Sequence, residues 1–171
     1  MTSTPEDTRL LGTLRALDDR VGAVRMEDVY DTDATDLWSA LTDPDRLARW
    51  IATVDGDLRQ GGEFEARFTS SFEGPGRVDV CQAPHRLQVT MNPGTSEETV
   101  IEAVVTPEGD RARLVVEERG LPLEVLAAHG AGWQAHVEDL AALIANREVR
   151  DWKTRWQALI PAYRTLGGAW V

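Results

Sequence analysis

The chain lacks the features that mark several common protein classes. It has one cysteine, Cys81, in 171 residues, which excludes an internal disulfide and a cysteine-rich metal site. No stretch approaches the roughly 18 consecutive apolar residues that a membrane-spanning helix needs. The first residues show no basic segment followed by an apolar block, so no secretory signal is expected. We therefore predict a cytoplasmic protein without a membrane span.

Positive charge is also scarce. Eighteen Lys and Arg residues stand against 29 Asp and Glu residues, which gives a formal net charge of −11. Such a surface repels the phosphates of nucleic acids and anionic lipid head groups. No basic run with interleaved aromatic residues offsets this repulsion, so no nucleic-acid partner is expected. The hydrophobic content of 42% is ordinary for a single folded domain.

The hydrophobic period changes along the chain. Residues 1–20 are polar and acidic and are predicted to form an N-terminal arm, either loose or with a short helix. AVRMEDVYDT then alternates and predicts a first strand, and ATDLWSALTD and DPDRLARW predict two short helices. From about residue 57 the period is two, which predicts about five further antiparallel strands. Gly74, Pro75 and Gly76 predict a turn among them.

A single long helix is predicted around GWQAHVEDLAALI, ending near Asn146. One stripe of this helix contains Trp133, Val137, Leu140 and Ile144, and His136 lies at its edge. An antiparallel sheet with one exposed face must cover the other, and this helix is the available cover. We therefore predict an α+β fold in which a curved antiparallel sheet of about six strands wraps around the helix, over residues 21–146.

A C-terminal extension, residues 147–171, holds three of the six tryptophans. Its apolar stripe contains Trp152, Trp156, Leu159 and Ile160, and Pro161 is predicted to end its helix. An exposed aromatic stripe is unfavourable in water, so something must cover it. Three alternatives remain open: packing on the domain itself, a homodimer contact, or a lid over a cavity.

Four segments follow, in order, the pattern of a known family. These are LWSALTDPDRLARWIATVDGDLRQGGEFEARF, GRVDVCQAPHRL, EGDRARLVVEERGLP and HGAGWQAHVEDLAAL. Over about residues 24–146 the chain resembles the activator of heat-shock protein 90 ATPase homologue family, of the START-like superfamily with its helix-grip fold. The resemblance implies a cavity between sheet and helix, which elsewhere holds lipids, hormones or polyketide-like molecules. It brings no universal catalytic motif. Ile51 and Glu118 depart from the family, which usually has tryptophan and often histidine at these positions.

The alternation of each strand, together with the resemblance, identifies the side chains expected around that cavity. They are Trp50, Phe64, Phe68, Val78, Leu87, Val89, Met91, Ile101, Val105, Leu114, Val116, Trp133, His136 and Leu140. The alternative is a filled core with no functional void. In that case the same side chains would simply pack together.

His136 and Glu118 are the polar groups expected to point inward. If they meet, the carboxylate would raise the pKa of the imidazole and create a general base or a ligand anchor. The alternative is a hydrogen-bonded histidine with a structural role. No metal triad is evident among His85, His129 and His136, and no cofactor is expected.

Three functions follow as hypotheses. The leading one is binding of a hydrophobic or amphipathic small molecule without obligatory chemistry. The second is an enzyme of the cyclase, dehydratase or hydrolase type, with His136 and Glu118 as the candidate catalytic residues. The third is a chaperone-associated protein, which the family name alone suggests.

Overall fold

An eight-stranded antiparallel sheet dominates the computed structural model, in which residues 9–168 are described. The strands are β1 (Gly12–Ala16), β2 (Val21–Tyr30), β3 (Ala52–Gly56), β4 (Glu63–Phe68), β5 (Glu73–Gln82), β6 (Arg86–Met91), β7 (Thr99–Glu108) and β8 (Arg111–Pro122). Their order in the sheet is β1-β2-β8-β7-β6-β5-β4-β3. The helices are α1 (Ala34–Thr42), α2 (Pro44–Leu47), α3 (Leu126–Ile144) and α4 (Trp152–Gly167), with a 3-10 turn at Leu123–Val125. The predicted α+β fold is confirmed.

The sheet has eight strands instead of about six, because hydrophobic alternation did not predict two of them. These are β1 and β3, the two edge strands of the sheet. Each has only one buried residue, Gly12 in β1 and Ala52 in β3. An edge strand that is mostly solvated carries little apolar alternation. The predicted arm thus contributes residues 12–16 to the sheet, while residues 1–8 and 169–171 lie outside the described part.

The predicted turn at Gly74, Pro75 and Gly76 is wrong, because these residues lie within β5. Gly76 pairs with Phe64 across the β4–β5 ladder. A Cβ atom at Gly76 would lie 2.3 Å from the ring of Phe64. This glycine therefore leaves space for a neighbouring aromatic ring and does not mark a turn.

The first two helices fix one tryptophan in the core. Asp33 caps α1 by accepting a hydrogen bond from the backbone N–H of Asp36 at 2.8 Å, and Asp43 caps α2. Trp50 follows α2 in the chain, and its indole N–H donates to the carbonyl of Ala40 at 2.9 Å. This bond holds the residues just before β3 against α1.

Helix α3 packs against β1, β2 and α4, and α4 also contacts β1. The indole N–H of Trp152 donates to the Gly132 carbonyl at 3.3 Å, and that of Trp156 donates to the Ala128 carbonyl at 2.9 Å. The extension therefore packs on its own domain through α3. No helix within residues 9–168 is long and apolar enough to cross a membrane.

Pro161 does not end the last helix, which continues to Gly167. Leu159, Tyr163 and Gly167 are its buried residues, and their spacing of four puts them on one stripe. The Tyr163 hydroxyl accepts a hydrogen bond from the backbone N–H of Gly12 at 3.1 Å and donates to Gln134. This tertiary packing outweighs the hydrogen bond that proline cannot make.

Candidate ligand-binding site

The buried apolar side chains form two clusters. The larger one joins β2 and β8 to α1 and α3 and includes Val24, Leu114 and Leu140. The smaller one contains Phe64, Ala66, Val78 and Met91, all on β4 to β6. Every side chain of the smaller cluster, including the partly buried ones packed on it, comes from the strands or from Leu58. No described helix residue is part of it.

Five half-buried side chains pack against both clusters. They are Val54, Phe68, Cys81, Leu87 and Ile101. All five keep part of their surface accessible, so the border between the two clusters is only partly buried. We call these five residues the groove.

A β-bulge places Cys81 in the groove. The register between β5 and β6 shifts between Val78 and Val80, so that Cys81 pairs with Leu87. Simple alternation would put Val78 and Val80 on the same face. The bulge instead brings Cys81 to the inner face, a change that alternation cannot reveal.

The residues expected around a cavity fall into two groups. Phe68, Leu87 and Ile101 belong to the groove, and half-buried Val89 packs on the smaller cluster. The others are buried: Trp50, Phe64, Val78, Met91, Val105, Leu114, Val116, Trp133, His136 and Leu140. The depression lined by Met26, Tyr30, Leu114 and Val137, together with Glu27 and Asp28, has no space for a water molecule. This depression beside β2 and β8 therefore does not offer room for a ligand.

Glu118 is a buried carboxylate on the face of the sheet that meets α3. It is 9% exposed and lies opposite Ile101 in the β7–β8 ladder. One oxygen accepts a hydrogen bond from the Thr99 hydroxyl at 2.8 Å, and the other accepts one from the Trp133 indole at 2.9 Å. Within the described part of the chain, no cationic side chain forms an ion pair with it.

His136 occupies an aromatic site between α3 and α4. It is 5% exposed, stacks on Trp152 with ring centroids 5.2 Å apart, and meets Trp133 edge-on at 6.0 Å. Burial lowers the pKa of His136 to about 4, and a backbone hydrogen bond at Trp50 opposes this shift only in part. The Nδ1 atom has no hydrogen-bond partner in the described structure.

The expected pairing of His136 with Glu118 is not formed. The hydrogen bonds of Glu118 go to Thr99 and Trp133, and Trp133 also contacts the imidazole. The Trp133 indole thus donates the hydrogen bond to Glu118 that the prediction assigned to His136. The expected rise in the imidazole pKa is accordingly replaced by a decrease.

Asp139, one turn beyond His136, is a buried acid that the sequence analysis missed. It is 4% exposed, and its Oδ2 atom has no partner within residues 9–168. Burial and the charge of Glu138 raise the pKa of Asp139 to about 7, whereas Arg150 acts in the opposite direction. Within the same residues, no group of three His, Cys, Asp or Glu side chains could hold a metal ion.

An antiparallel sheet packed against a long helix that follows its last strand is the arrangement of a START-like helix-grip protein. The chain belongs to the family described as activator of Hsp90 ATPase homolog 1-like protein, whose model matches residues 31–145. The predicted family is therefore confirmed. No curated protein matches the sequence significantly.

Several solved structures share the fold. CalU16 from Micromonospora echinospora is 24% identical, with 92% of this chain and 96% of that chain covered and a TM-score of 0.75. The protein encoded by BPP1335 from Bordetella parapertussis is 23% identical over 96% of this chain and 94% of that chain, with a TM-score of 0.69. DynU16, a protein in the dynemicin biosynthetic locus, is 25% identical over 75% of this chain and 50% of that chain, with a TM-score of 0.67.

Proposed function

We propose that this protein binds an apolar or amphipathic small molecule in the groove. The observation that supports this proposal is the row of five half-buried apolar side chains between the two core clusters. Burying such a surface under a ligand stabilises the complex by about 25 cal/mol for each Å² of apolar area. Small-molecule sites are concave and mostly apolar, with few polar groups. The groove with Glu118 beside it has this composition.

The family and its relatives support the same proposal. START-like proteins use the space between sheet and helix for apolar ligands, as the sequence resemblance implies. DynU16 comes from a biosynthetic locus for dynemicin, which associates one relative with small-molecule biosynthesis. For this chain, that association is a proposal about the kind of ligand and extends to no particular compound.

Binding without chemistry is favoured over an enzyme by the surroundings of His136. The imidazole is stacked on Trp152 and has no carboxylate partner within the described residues. Its pKa is lowered to about 4, which makes it a weak base at neutral pH. No observation on the described residues specifically favours the chaperone-associated alternative.

The direct test uses N-phenyl-1-naphthylamine, an apolar dye whose fluorescence rises in apolar surroundings. Cys81 is the only cysteine in the chain and belongs to the groove, so its alkylation by N-ethylmaleimide reports on occupancy. We expect the dye to bind and to slow alkylation of Cys81 by about tenfold or more at saturation. Dye that binds without protecting Cys81 would place the site elsewhere, and absence of binding would remove the proposal.

A matched pair of variants locates the site. Leu87→Trp fills the groove and is expected to weaken dye binding by about tenfold or more. Val104→Trp makes a similar enlargement at a half-buried position one residue away from Ala103, on the other face of β7, and is expected to leave binding unchanged. Equal effects of both variants would contradict a site in the groove. Thermal melting of each variant checks that it folds.

A further inference from the structure

Glu118 is an unpaired charge in apolar surroundings. Its neighbours across the ladders are Val24 on β2 and Ile101 on β7, and Val24 is 1% exposed. Buried carboxylates are rare unless a cation or several donors compensate for their lost hydration. Glu118 has two donors, Thr99 and Trp133, and no cationic partner within residues 9–168.

The two hydrogen bonds leave part of the carboxylate unused. An ionised carboxylate has about four lone-pair positions, and each oxygen of Glu118 uses one. Both bonds come from fixed elements, Thr99 in β7 and Trp133 in α3, so the carboxylate is held in one orientation. A further donor would therefore meet an acceptor that is already positioned.

The carboxylate also borders the groove. Ile101 is one of the five groove residues, and it is the direct partner of Glu118 in the ladder. A ligand whose apolar part covers Ile101 can therefore place its head group beside Glu118. The net charge of −11 attracts cations to the molecule as a whole.

We infer that Glu118 selects amphipathic ligands with a cationic, hydrogen-donating head group such as a primary ammonium. This inference rests on the proposed function of the groove. The apolar part of the ligand contacts the groove, and the ammonium supplies the donors and the positive charge that Glu118 lacks. A carboxylate head group is rejected, because two like charges would then meet in apolar surroundings.

The test compares ligands that share one chain and differ in the head group. 1-Dodecylamine, 1-dodecanol and dodecanoate each compete with N-phenyl-1-naphthylamine, below their aggregation concentrations. Hydrogen bonds to charged groups are strong enough that dodecylamine should displace the dye at a concentration about tenfold or more below that of dodecanoate. Dodecanol should lie between the two.

Glu118→Gln removes the charge while keeping the shape. The amide oxygen can still accept from Trp133, and the amide nitrogen can donate to Thr99. We expect the preference for dodecylamine over dodecanoate to fall below about threefold, when each displacement is scaled to the variant's own affinity for the dye. Glu65→Gln removes the same charge from an exposed position on β4 and is expected to keep the full preference. A preference that survives Glu118→Gln, or that falls equally in Glu65→Gln, would overturn the inference.

Thr99→Val provides a second test that keeps the carboxylate. This variant frees one acceptor position on Glu118, so the preference for dodecylamine should be retained or increased. Loss of the preference in Thr99→Val would contradict the inference, even if Glu118→Gln fails to fold. If the dye binds and all three head groups compete equally, the inference fails while the proposed function stands. If neither the dye nor any of the three compounds binds, both fail.

Discussion

The two halves of the sheet are covered in different ways. Strands β1 and β2 pack against α3, which also packs against α4, and the depression beside β2 and β8 has no space for a water molecule. The smaller cluster on β4 to β6 includes no described helix residue, and the five groove residues at its border remain half-buried. We call these the closed half and the open half. The closed half is expected to supply most of the stability, which leaves side chains of the open half available for recognition.

The same leucine substitution in each half provides the largest contrast. Leu140 is 0% exposed and Leu87 is half-buried. Leu140→Ala should lower the free energy of unfolding by about 3 kcal/mol, because it leaves a cavity at a fully buried position. Leu87→Ala should lower the free energy of unfolding by about 1 kcal/mol or less, since part of the Leu87 side chain is already solvated. Urea denaturation followed by tryptophan fluorescence measures both, and equal costs would contradict the distinction between the halves.

Asp139 and His136 make opposing contributions to the pH dependence of the closed half. The pKa of Asp139 rises from 3.8 to about 7 on folding. The folded chain therefore keeps a proton that the unfolded chain loses, and stability falls as the pH rises through this range. The pKa of His136 falls from 6.5 to about 4, so its contribution makes stability rise as the pH rises between these values. The two contributions largely cancel where the ranges overlap.

Single variants should separate the two contributions. Relative to the wild type, Asp139→Asn should gain about 2 kcal/mol of unfolding free energy between pH 5 and pH 7. For His136→Gln, the free energy of unfolding relative to the wild type should change with pH in the opposite direction. This variant should therefore be most stable, relative to the wild type, at low pH. Urea denaturation across this pH range measures both, and an effect of Asp139→Asn that is independent of pH would show that its acid has an ordinary pKa when folded.

Tyr163 tests whether α4 belongs to the closed half. Tyr163→Phe leaves the buried N–H of Gly12 without its partner and should cost about 1–2 kcal/mol of unfolding free energy. Tyr30→Phe is a suitable control, because the Tyr30 hydroxyl makes only a 3.4 Å hydrogen bond to the Val137 carbonyl and should cost less. If Tyr163→Phe is neutral in urea denaturation, α4 contributes little to the stability of the domain.

The smallest effect is expected at an ion pair in the open half. Arg67 and Glu73 are 3.4 Å apart, and both side chains are largely exposed. Glu73→Gln should change the free energy of unfolding by less than about 0.5 kcal/mol, because water and salt screen such pairs. A larger loss would show that the open half depends on its surface charges. Urea denaturation at low and high salt checks this expectation.

Pattern analysis identified the strands that have one buried and one solvated face. It missed β1 and β3 because edge strands bury few side chains. It could not place Cys81, because a one-residue bulge reverses the alternation after Val78. These failures are local, since each depends on backbone geometry that leaves no periodic signal.

The candidate site was less predictable than the fold. Glu118 and His136 do both lie at buried positions, as their spacing indicated. They do not pair with each other, because the Trp133 indole donates a hydrogen bond to the Glu118 carboxylate instead. Asp139 is buried in the folded structure, and this burial raises its pKa to about 7. The environments of Glu118, His136 and Asp139 all depend on contacts between elements that are distant in sequence. A local sequence pattern does not predict such contacts.

The two indoles of α4 have a consequence for how the chain tolerates change. Trp152 and Trp156 are four residues apart, and so are the carbonyls of Gly132 and Ala128 that receive their N–H groups. Two hydrogen bonds at matched spacing favour a single axial setting of α4 on α3. The connecting residues 145–151 need not fix that setting, and insertions there should leave the docked helix where it is.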